Sequence, residues 1–289
     1  VVAQVQAEKL DRTQRFLKTL TPERLRAVAD ERPRWFRLYR PGAGRDGGDL
    51  EAGFLRIRVF EEERGEVSSS SIAGSRTEPE MGLMVEVIAK MLLSGDATHT
   101  LDMQSRFWQS WDREAENWSI VSTERRGGQS STGGQTGWRA RRMSTGEQGS
   151  ILTVVNSQSS QATRDDLFRS RQSQEWEIPE VGYINQAEVI LLGILLPRDG
   201  SFDGDYSFYW YDSRSNRLPQ RIDRWTADPD GSGRYTLISR PSADSPEMKQ
   251  LFGRDGERLR RIDADGLVTE AIEHADLMRI WRSKGLPTG

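Results

Sequence analysis

The chain has no cysteine and only two histidines among its 289 residues. Without cysteine it can form no disulfide, thiolate nucleophile or thiolate metal site. The two histidines, His99 and His274, are too few for a multi-histidine metal site, and no Gly-x-Ser-x-Gly motif supplies a nucleophile. We therefore expect no catalytic residue, no cofactor and no metal ligand, and we expect both histidines to be structural.

Long apolar runs and an excess of one charge are also missing. The longest strongly apolar run, residues 189–196, is far shorter than the roughly 20 residues that span a bilayer. The 41 basic and 44 acidic side chains give a net charge of −3, so no global field attracts polyanions. Strict alternation would place Arg139 with Arg141, and Arg258 with Arg260, on one face of charged edge strands. We expect no transmembrane segment and no nucleic-acid partner.

The first residues are apolar, with small residues at Val5 and Ala7. Such a small-x-small pattern is typical of the cleavage site of a secretion signal. Loops rich in Ser, Gly and Gln and the absence of cysteine agree with export. We expect a protein of the periplasm or cell envelope, with a cytoplasmic location as the alternative.

The first half of the chain predicts a helix, a strand, a second helix and a meander. Thr21-Pro22-Glu23 is a helix start and predicts a short helix over 22–31. The strict alternation of residues 54–60 predicts a half-buried strand. Met84, Ile88, Met91 and Leu92 recur at helical spacing and predict a helix over 81–94. Four strands follow, and the Gly- and Ser-rich stretch 127–137 is interpreted as a long hairpin loop.

The second half repeats this order. Residues 183–197 predict an apolar helix that ends at Pro197, and six strands follow it between 205 and 272. Asp265-Gly266 is a strong hairpin signal between the last two strands. A final amphipathic helix carries Leu277, Ile280 and Trp281.

These patterns predict an α+β protein with a mainly antiparallel, curved, half-barrel-like β-sheet and terminal helices. The repeated order indicates a duplicated helix-plus-meander unit. We expect an N-terminal helical segment and linker over 1–50, a first unit over 51–175, and a second unit with the C-terminal helix over 176–289.

Two aromatic strands, "SRFWQSWD" at 105–112 and "SFYWYD" at 207–212, raise the question of a binding surface. Alternate residues of a strand share a face. The set expected to pack beneath the helices is Phe107, Trp111, Phe208 and Trp210. The opposite set, Trp108, Tyr209 and Tyr211, would face solvent and could line an apolar pocket, stack on a sugar or meet a partner. Cross-strand pairing within the sheet is the alternative role.

Acidic residues offer further chemistry that we consider less favoured. Asp228 and Asp230 begin a calcium-like loop, but the twelfth position holds Ser239 instead of the bidentate Glu, so a hairpin turn is preferred. A second Asp-rich loop contains Asp199, Asp203 and Asp205. A carboxylate pair for glycoside hydrolysis would have to come from Asp112, Glu114, Asp212 and Asp223, whose spacing singles out no pair.

The order of elements, carried by "GFLRIRVF", the segment 81–94, "FWQSWD" and "SFYWYD", resembles the lipoprotein-carrier (LolA-like) half-barrel proteins and similar exported bacterial proteins. The resemblance covers about 220 residues and implies a curved sheet that wraps a helix, with an apolar cavity for an acyl chain. It identifies no binding residue. We expect a non-catalytic binding protein for a lipid-like ligand or a protein partner. A self-assembling structural protein is the first alternative, and a carbohydrate-active hydrolase is the second.

Overall fold

The computed structural model describes residues 2–44, 46–64, 80–95, 97–144, 147–159, 171–179, 181–197 and 203–286. Its helices are α1 (Val2–Lys18), α2 (Pro22–Arg26), α3 (Gln186–Leu195) and α4 (His274–Ser283). Its strands are β1 (Arg34–Arg40), β2 (Leu50–Glu63), β3 (Met81–Leu92), β4 (His99–Ser110), β5 (Glu116–Arg126), β6 (Gln129–Ser144), β7 (Glu147–Ser159), β8 (Arg171–Ile178), β9 (Gly204–Tyr209), β10 (Gln220–Ala227), β11 (Tyr235–Arg240), β12 (Met248–Phe252), β13 (Arg258–Ile262) and β14 (Val268–Ala271).

All these strands form one 14-stranded sheet in the order β8-β7-β6-β5-β4-β3-β2-β1-β14-β13-β12-β11-β10-β9. Every strand pair is antiparallel, and β1 joins the two halves by pairing with both β2 and β14. The sheet curves so that its two ends approach each other, and the amide of Asn216, beyond β9, donates to Gln174 of β8. The predicted α+β class with a curved, half-barrel-like antiparallel sheet is confirmed.

Helix α3 lies against the inner face of the curved sheet and forms the centre of the core. Its only charged residue is Glu188, and it is apolar on all sides, a composition that requires burial. Leu191, Leu192 and Leu195 are buried against core side chains from strands of both halves. Each such leucine stabilises the fold by about 1.5–3 kcal/mol. The helix predicted over 183–197 is therefore confirmed, and the sheet wraps it.

The N-terminal helix α1 covers the edge strand β9. The backbone N–H of Ser207 donates to the Thr13 hydroxyl at 2.9 Å, which satisfies an edge group that no neighbouring strand reaches. Phe16 is fully buried and meets the rings of Tyr206 and Phe208 edge-on at 6.0 and 5.9 Å. An edge strand covered in this way is protected from pairing with other chains.

The C-terminal helix α4 packs on the other face of the sheet. Leu277 and Trp281 are fully buried there, together with Leu92 of β3, and Phe54 meets the Trp281 ring at 5.0 Å. The predicted terminal helices are thus present at both ends of the chain. None of the helices in the described ranges is long and apolar enough to cross a lipid bilayer.

The helix predicted over 81–94 is wrong, because this segment is the central strand β3. Leu83, Val85 and Val87 face the main core, whereas Met84 is buried on the opposite face. A strand that is buried on both faces reads as a continuous apolar run, and such a run also contains matches to helical spacing. The first helix of the predicted duplication is therefore absent, and the three-part division of the chain stays a prediction.

The long loop predicted over 127–137 is also wrong. Gly127 and Gly128 have φ of 56° and 83° and form a tight turn, and β6 begins at Gln129. Strand pairing continues from Arg126↔Gln129 to Glu116↔Arg139 without interruption. Glycines depress strand propensity, but in β6 one of them has a packing role.

Large aromatic rings lie directly over glycines on β6 and α3. A Cβ added to Gly137 of β6 would lie 2.3 Å from Cζ2 of Trp118, its partner on β5. The same clash would occur between Gly193 of α3 and Phe252 at 2.1 Å. Each glycine provides the space that a side chain would otherwise fill, so these rings can be buried without a void.

We expect Gly137→Ala to lower the free energy of unfolding by about 1–3 kcal/mol, because its methyl group would overpack the Trp118 ring. Urea denaturation measures this change. Gly133→Ala on the same strand is the matched control, since its Cβ would meet only Ser122 Oγ at 3.6 Å, an ordinary contact. Equal stability of the two variants would contradict the role assigned to Gly137.

Candidate functional site

Tyr211, one of the three predicted binding residues, lies in the main core instead of facing solvent. Its ring stacks on Trp118 at 5.5 Å and is 1% exposed. Its hydroxyl accepts a hydrogen bond from Gln135 Nε2 at 3.2 Å and donates to Asn216. Burial raises the pKa of this phenol. Strand β9 ends at Tyr209, so the alternation that placed Tyr211 on the solvent side does not extend to it.

Trp108 is buried on the opposite, outer face of the sheet. Its strand neighbour Phe107 belongs to the main core, and alternation turns Trp108 away from it. The indole lies across Gly82 of β3, where a Cβ would come within 2.7 Å, and its N–H donates to the Glu62 carbonyl of β2 at 3.0 Å. Arg64 stacks on the ring at 5.3 Å. Trp108 therefore packs across three strands.

Tyr209 is half-buried against the main core at the end of β9. Its N–H donates to the Gly182 carbonyl at 2.8 Å and its carbonyl accepts from Ile184 at 2.9 Å. Because Trp108 lies on the other face of the sheet, the structure does not bring the three predicted residues into one surface. The predicted seam residues are placed correctly: Phe107 and Phe208 are buried, and Trp111 and Trp210 pack against the same core.

The acidic residues considered from sequence are engaged in local structure. Asp223 is fully buried and accepts two hydrogen bonds from Arg221 Nε at 2.9 and 2.8 Å. Asp212 accepts from Ser215 at 2.7 Å in a turn. Asp230 lies in the hairpin turn between β10 and β11, as preferred from sequence. Asp199 lies outside the described residues.

A buried group of charged and polar side chains holds the N-terminal end of α3. We call it the polar cluster; its members are Gln109, Arg113, Glu116, Arg139, Tyr183, Asn185 and Glu188. Glu188 and Asn185 form a reciprocal capping box, with hydrogen bonds of 3.0 and 3.2 Å. Arg113, in the turn after β4, adopts a φ of 66° and donates through Nε and Nη2 to the two oxygens of Glu188.

The polar cluster also connects α3 to β5 and β6. The hydroxyl of Tyr183 donates to Glu116 Oε1 at 2.6 Å, and Arg139 Nε lies 3.7 Å from the same oxygen. Arg139 additionally donates to the Arg113 carbonyl. The two arginines balance the two glutamates, so the cluster fixes one end of α3 without a net charge.

Glu116 is the carboxylate of the cluster whose burial is least well compensated. It is 1% exposed, and its Oε2 has no hydrogen-bond partner within the described part of the chain. Burial raises the pKa of this carboxyl above its ordinary value, although Arg139 and the Tyr183 hydroxyl act in the opposite direction. The pKa of Tyr183 is raised by burial and by the nearby Glu116 charge.

The C-terminal half of α3 faces a different environment, which we call the α3 groove. It is lined by Arg34, Phe36, Ile57, Ile190, Leu191, Gly193, Ile194, Phe252, Gly256, Glu257 and Arg258, and encloses a small cavity of about 20 Å³. Ile190 and Ile194 are only half-buried, so an apolar flank of the central helix reaches the surface here. Charged side chains from β1 and β13 surround it.

A β-bulge in β13 turns the side chain of Arg258 toward the groove. Leu251 pairs with Arg260 but the next residue, Phe252, pairs with Arg258, so Leu259 is an extra residue in β13. The bulge places Arg258 over the core ring of Phe36 at 4.6 Å, whereas Arg260 lies opposite Glu270 on the other face. The prediction that these two arginines share a face is therefore wrong, because alternation fails at a bulge.

Arg258 differs from Arg34, the other arginine of the groove, in forming no ion pair with a described residue. Arg34 forms ion pairs with Asp30 at 2.8 Å and Glu257 at 2.7 Å. Within the described ranges, no carboxylate or carbonyl bonds to Arg258, and its Nε is buried without a partner. Burial, with a smaller effect of Arg261, lowers the pKa of Arg258 to about 10, although the charge of Asp263 acts in the opposite direction. The guanidinium therefore remains charged at neutral pH.

Comparison with known proteins identifies no family for the chain. No family model and no curated protein matches the chain. The chain is similar to the crystal structure of a beta-barrel-like protein of the domain of unknown function DUF1849 from Brucella abortus, with 10% identity and a TM-score of 0.45, over 83% of this chain and 95% of that one. At this level the similarity supports no inference about function.

The polar cluster generates a pH prediction. Because burial raises the pKa of Glu116 above 4.5 in the folded state, this carboxyl binds more protons in the folded state than in the unfolded one, and its contribution to stability falls as pH rises above about 4.5. Glu116→Gln mimics the protonated carboxyl and removes this loss. We expect its free energy of unfolding, relative to the wild type, to increase between pH 4.5 and pH 8.

Urea denaturation across this pH range measures the effect. Glu175→Gln, which removes an exposed carboxyl from β8, controls for the general loss of one negative charge. A relative stability of Glu116→Gln that decreases with pH would show that the ion pair with Arg139 outweighs burial.

Proposed function

We propose that this protein is a non-catalytic binding protein of the cell envelope that holds an apolar ligand at the α3 groove. The observation that carries the proposal is the half-buried flank of α3 formed by Ile190 and Ile194. A helix that is apolar on all sides is normally covered completely. Here a part of it is left at the surface, beside a small cavity and a charged rim.

This arrangement has the features of a ligand-binding site. Ligand sites are concave, mostly apolar and carry a few placed polar groups. The groove combines Ile57, Leu191 and Phe252 with Arg34 and Arg258. Its walls are a β-sheet and a helix fixed at its other end by the polar cluster, and sites built on such elements are held more precisely than sites on loops.

The proposal of a non-catalytic role is supported by how the buried acidic side chains are used. Asp223, Glu188 and Glu51 are each bonded to an arginine, and Glu116 accepts the hydroxyl of the buried Tyr183 through one of its oxygens. A general acid or base must instead reach a substrate proton directly or through one water.

Self-assembly is a second candidate, favoured by the free edge of β8. In the described ranges β8 pairs through its backbone only with β7, and Ser173 and Glu175 are exposed. An open edge of this kind can accept a strand from another chain. A defined oligomer that carries no bound small molecule would favour this candidate.

The first experiment is native mass spectrometry of the protein purified from its own host, followed by extraction of any co-purifying molecule. We expect a stoichiometric adduct of lipid size. Ile190→Gln should reduce its occupancy at least severalfold, because a polar side chain would interrupt the apolar flank. A clean mass without adduct would overturn the proposal.

The control for this experiment is Ile262→Gln. Ile262 is an exposed apolar residue, 37% exposed on β13, and does not line the groove. Its substitution should leave the adduct unchanged. Circular dichroism and urea denaturation of both variants would show whether any loss of adduct reflects loss of the fold.

A further inference from the structure

The most distinctive charge in the groove is the guanidinium of Arg258. Arg258 is half-buried and its Nε is a buried atom without a partner, and a polar atom removed from water is costly unless it is hydrogen-bonded. Arg34, on the same rim, meets this requirement through Asp30 and Glu257. Arg258 lies over the Phe36 ring and forms no ion pair within the described ranges, although the charge of Asp263 attracts it weakly. An anionic group at this position would supply the missing partner.

We infer that Arg258 binds a carboxylate, either at the end of an apolar chain or as a free small acid. The guanidinium is the side chain best suited to bidentate recognition of a carboxylate. The cavity of about 20 Å³ beside it is large enough for one water-sized group. The form with an apolar chain rests on the proposed function, whereas the carboxylate site itself does not.

The position of the site relative to α3 sets the orientation of the ligand. The carboxylate lies at Arg258 and the apolar chain follows the half-buried flank of Ile190 and Ile194. The cavity is too small for the chain, which therefore lies along the surface of the groove. The ligand class is accordingly an amphiphile with one carboxylate and a linear apolar chain, such as a fatty acid.

Three probes separate the two parts of this inference: octanoate, 1-octanol and acetate. They carry the chain with the carboxylate, the chain alone and the carboxylate alone. Isothermal titration calorimetry of the full chain should show octanoate binding most tightly. Because a hydrogen-bonded charge contributes strongly to binding, Arg258→Gln should weaken octanoate at least tenfold and leave the affinity for octanol unchanged.

Arg260→Gln is the matched control. It removes the same charge from the same strand, two residues away, but on the face that lies opposite Glu270. Its octanoate affinity should stay within twofold of the wild type. Arg258→Gln should also unfold at a temperature no lower than the wild type without ligand, because it removes an unpaired charge. If it fails to fold, Arg258→Met keeps the apolar contact with Phe36 and serves instead.

The outcomes distinguish the two proposals. Octanoate that binds the wild type and Arg258→Gln equally would overturn the inference and leave the proposed function intact. Acetate that binds as tightly as octanoate, and only when Arg258 is present, would support the carboxylate site and overturn the apolar ligand. If neither acid binds the wild type, the inference is overturned, and native mass spectrometry decides the proposed function separately.

Discussion

The fold depends on the burial of α3 in the concave face of the sheet. A helix that is apolar on all sides is stable only when it is buried. The 14-stranded sheet also has apolar side chains on its inner face, which must be covered by another element. The leucines at 191, 192 and 195 satisfy both requirements at once. The curvature of the sheet, the covering of β9 by α1 and the polar cluster all serve to keep this helix in place.

The many aromatic residues are part of the same packing problem. A strongly curved sheet brings side chains on its inner face close together, so large rings fit only where a neighbour is small. Gly137 beneath Trp118 and Gly193 beneath Phe252 provide this space, and Gly82 does the same for Trp108 on the outer face. The aromatic strands therefore pack in the core instead of forming the binding surface expected from sequence. The apolar surface that the structure does expose lies on the flank of α3.

Sequence patterns predicted the elements with a clear period or a clear end. The alternation of residues 54–60, the apolar run that ends at Pro197 and the amphipathic stripe of α4 each gave the correct element type. The strand β3 was mistaken for a helix because both of its faces are buried. Its apolar residues therefore do not alternate with polar ones, and the sequence shows no period of two that would indicate a strand. The α3 groove was not predictable, since a single extra residue at Leu259 determines which way Arg258 points. Local sequence does not reveal a bulge, because the bulge depends on pairing with β12.

The two ends of α3 lie in different surroundings, and this difference supports the proposed position of the ligand site. At the N-terminal end, Arg113 and Arg139 offset the charges of Glu116 and Glu188, and the cost of burial is limited by their mutual contacts. At the C-terminal end, Arg258 forms no ion pair with a described residue and the apolar flank is left half open. Buried polar atoms without a partner occur at both ends, among them Glu116 Oε2 and Arg258 Nε. The open apolar flank beside Arg258 is therefore what distinguishes the C-terminal end, and it supports the proposed ligand site there.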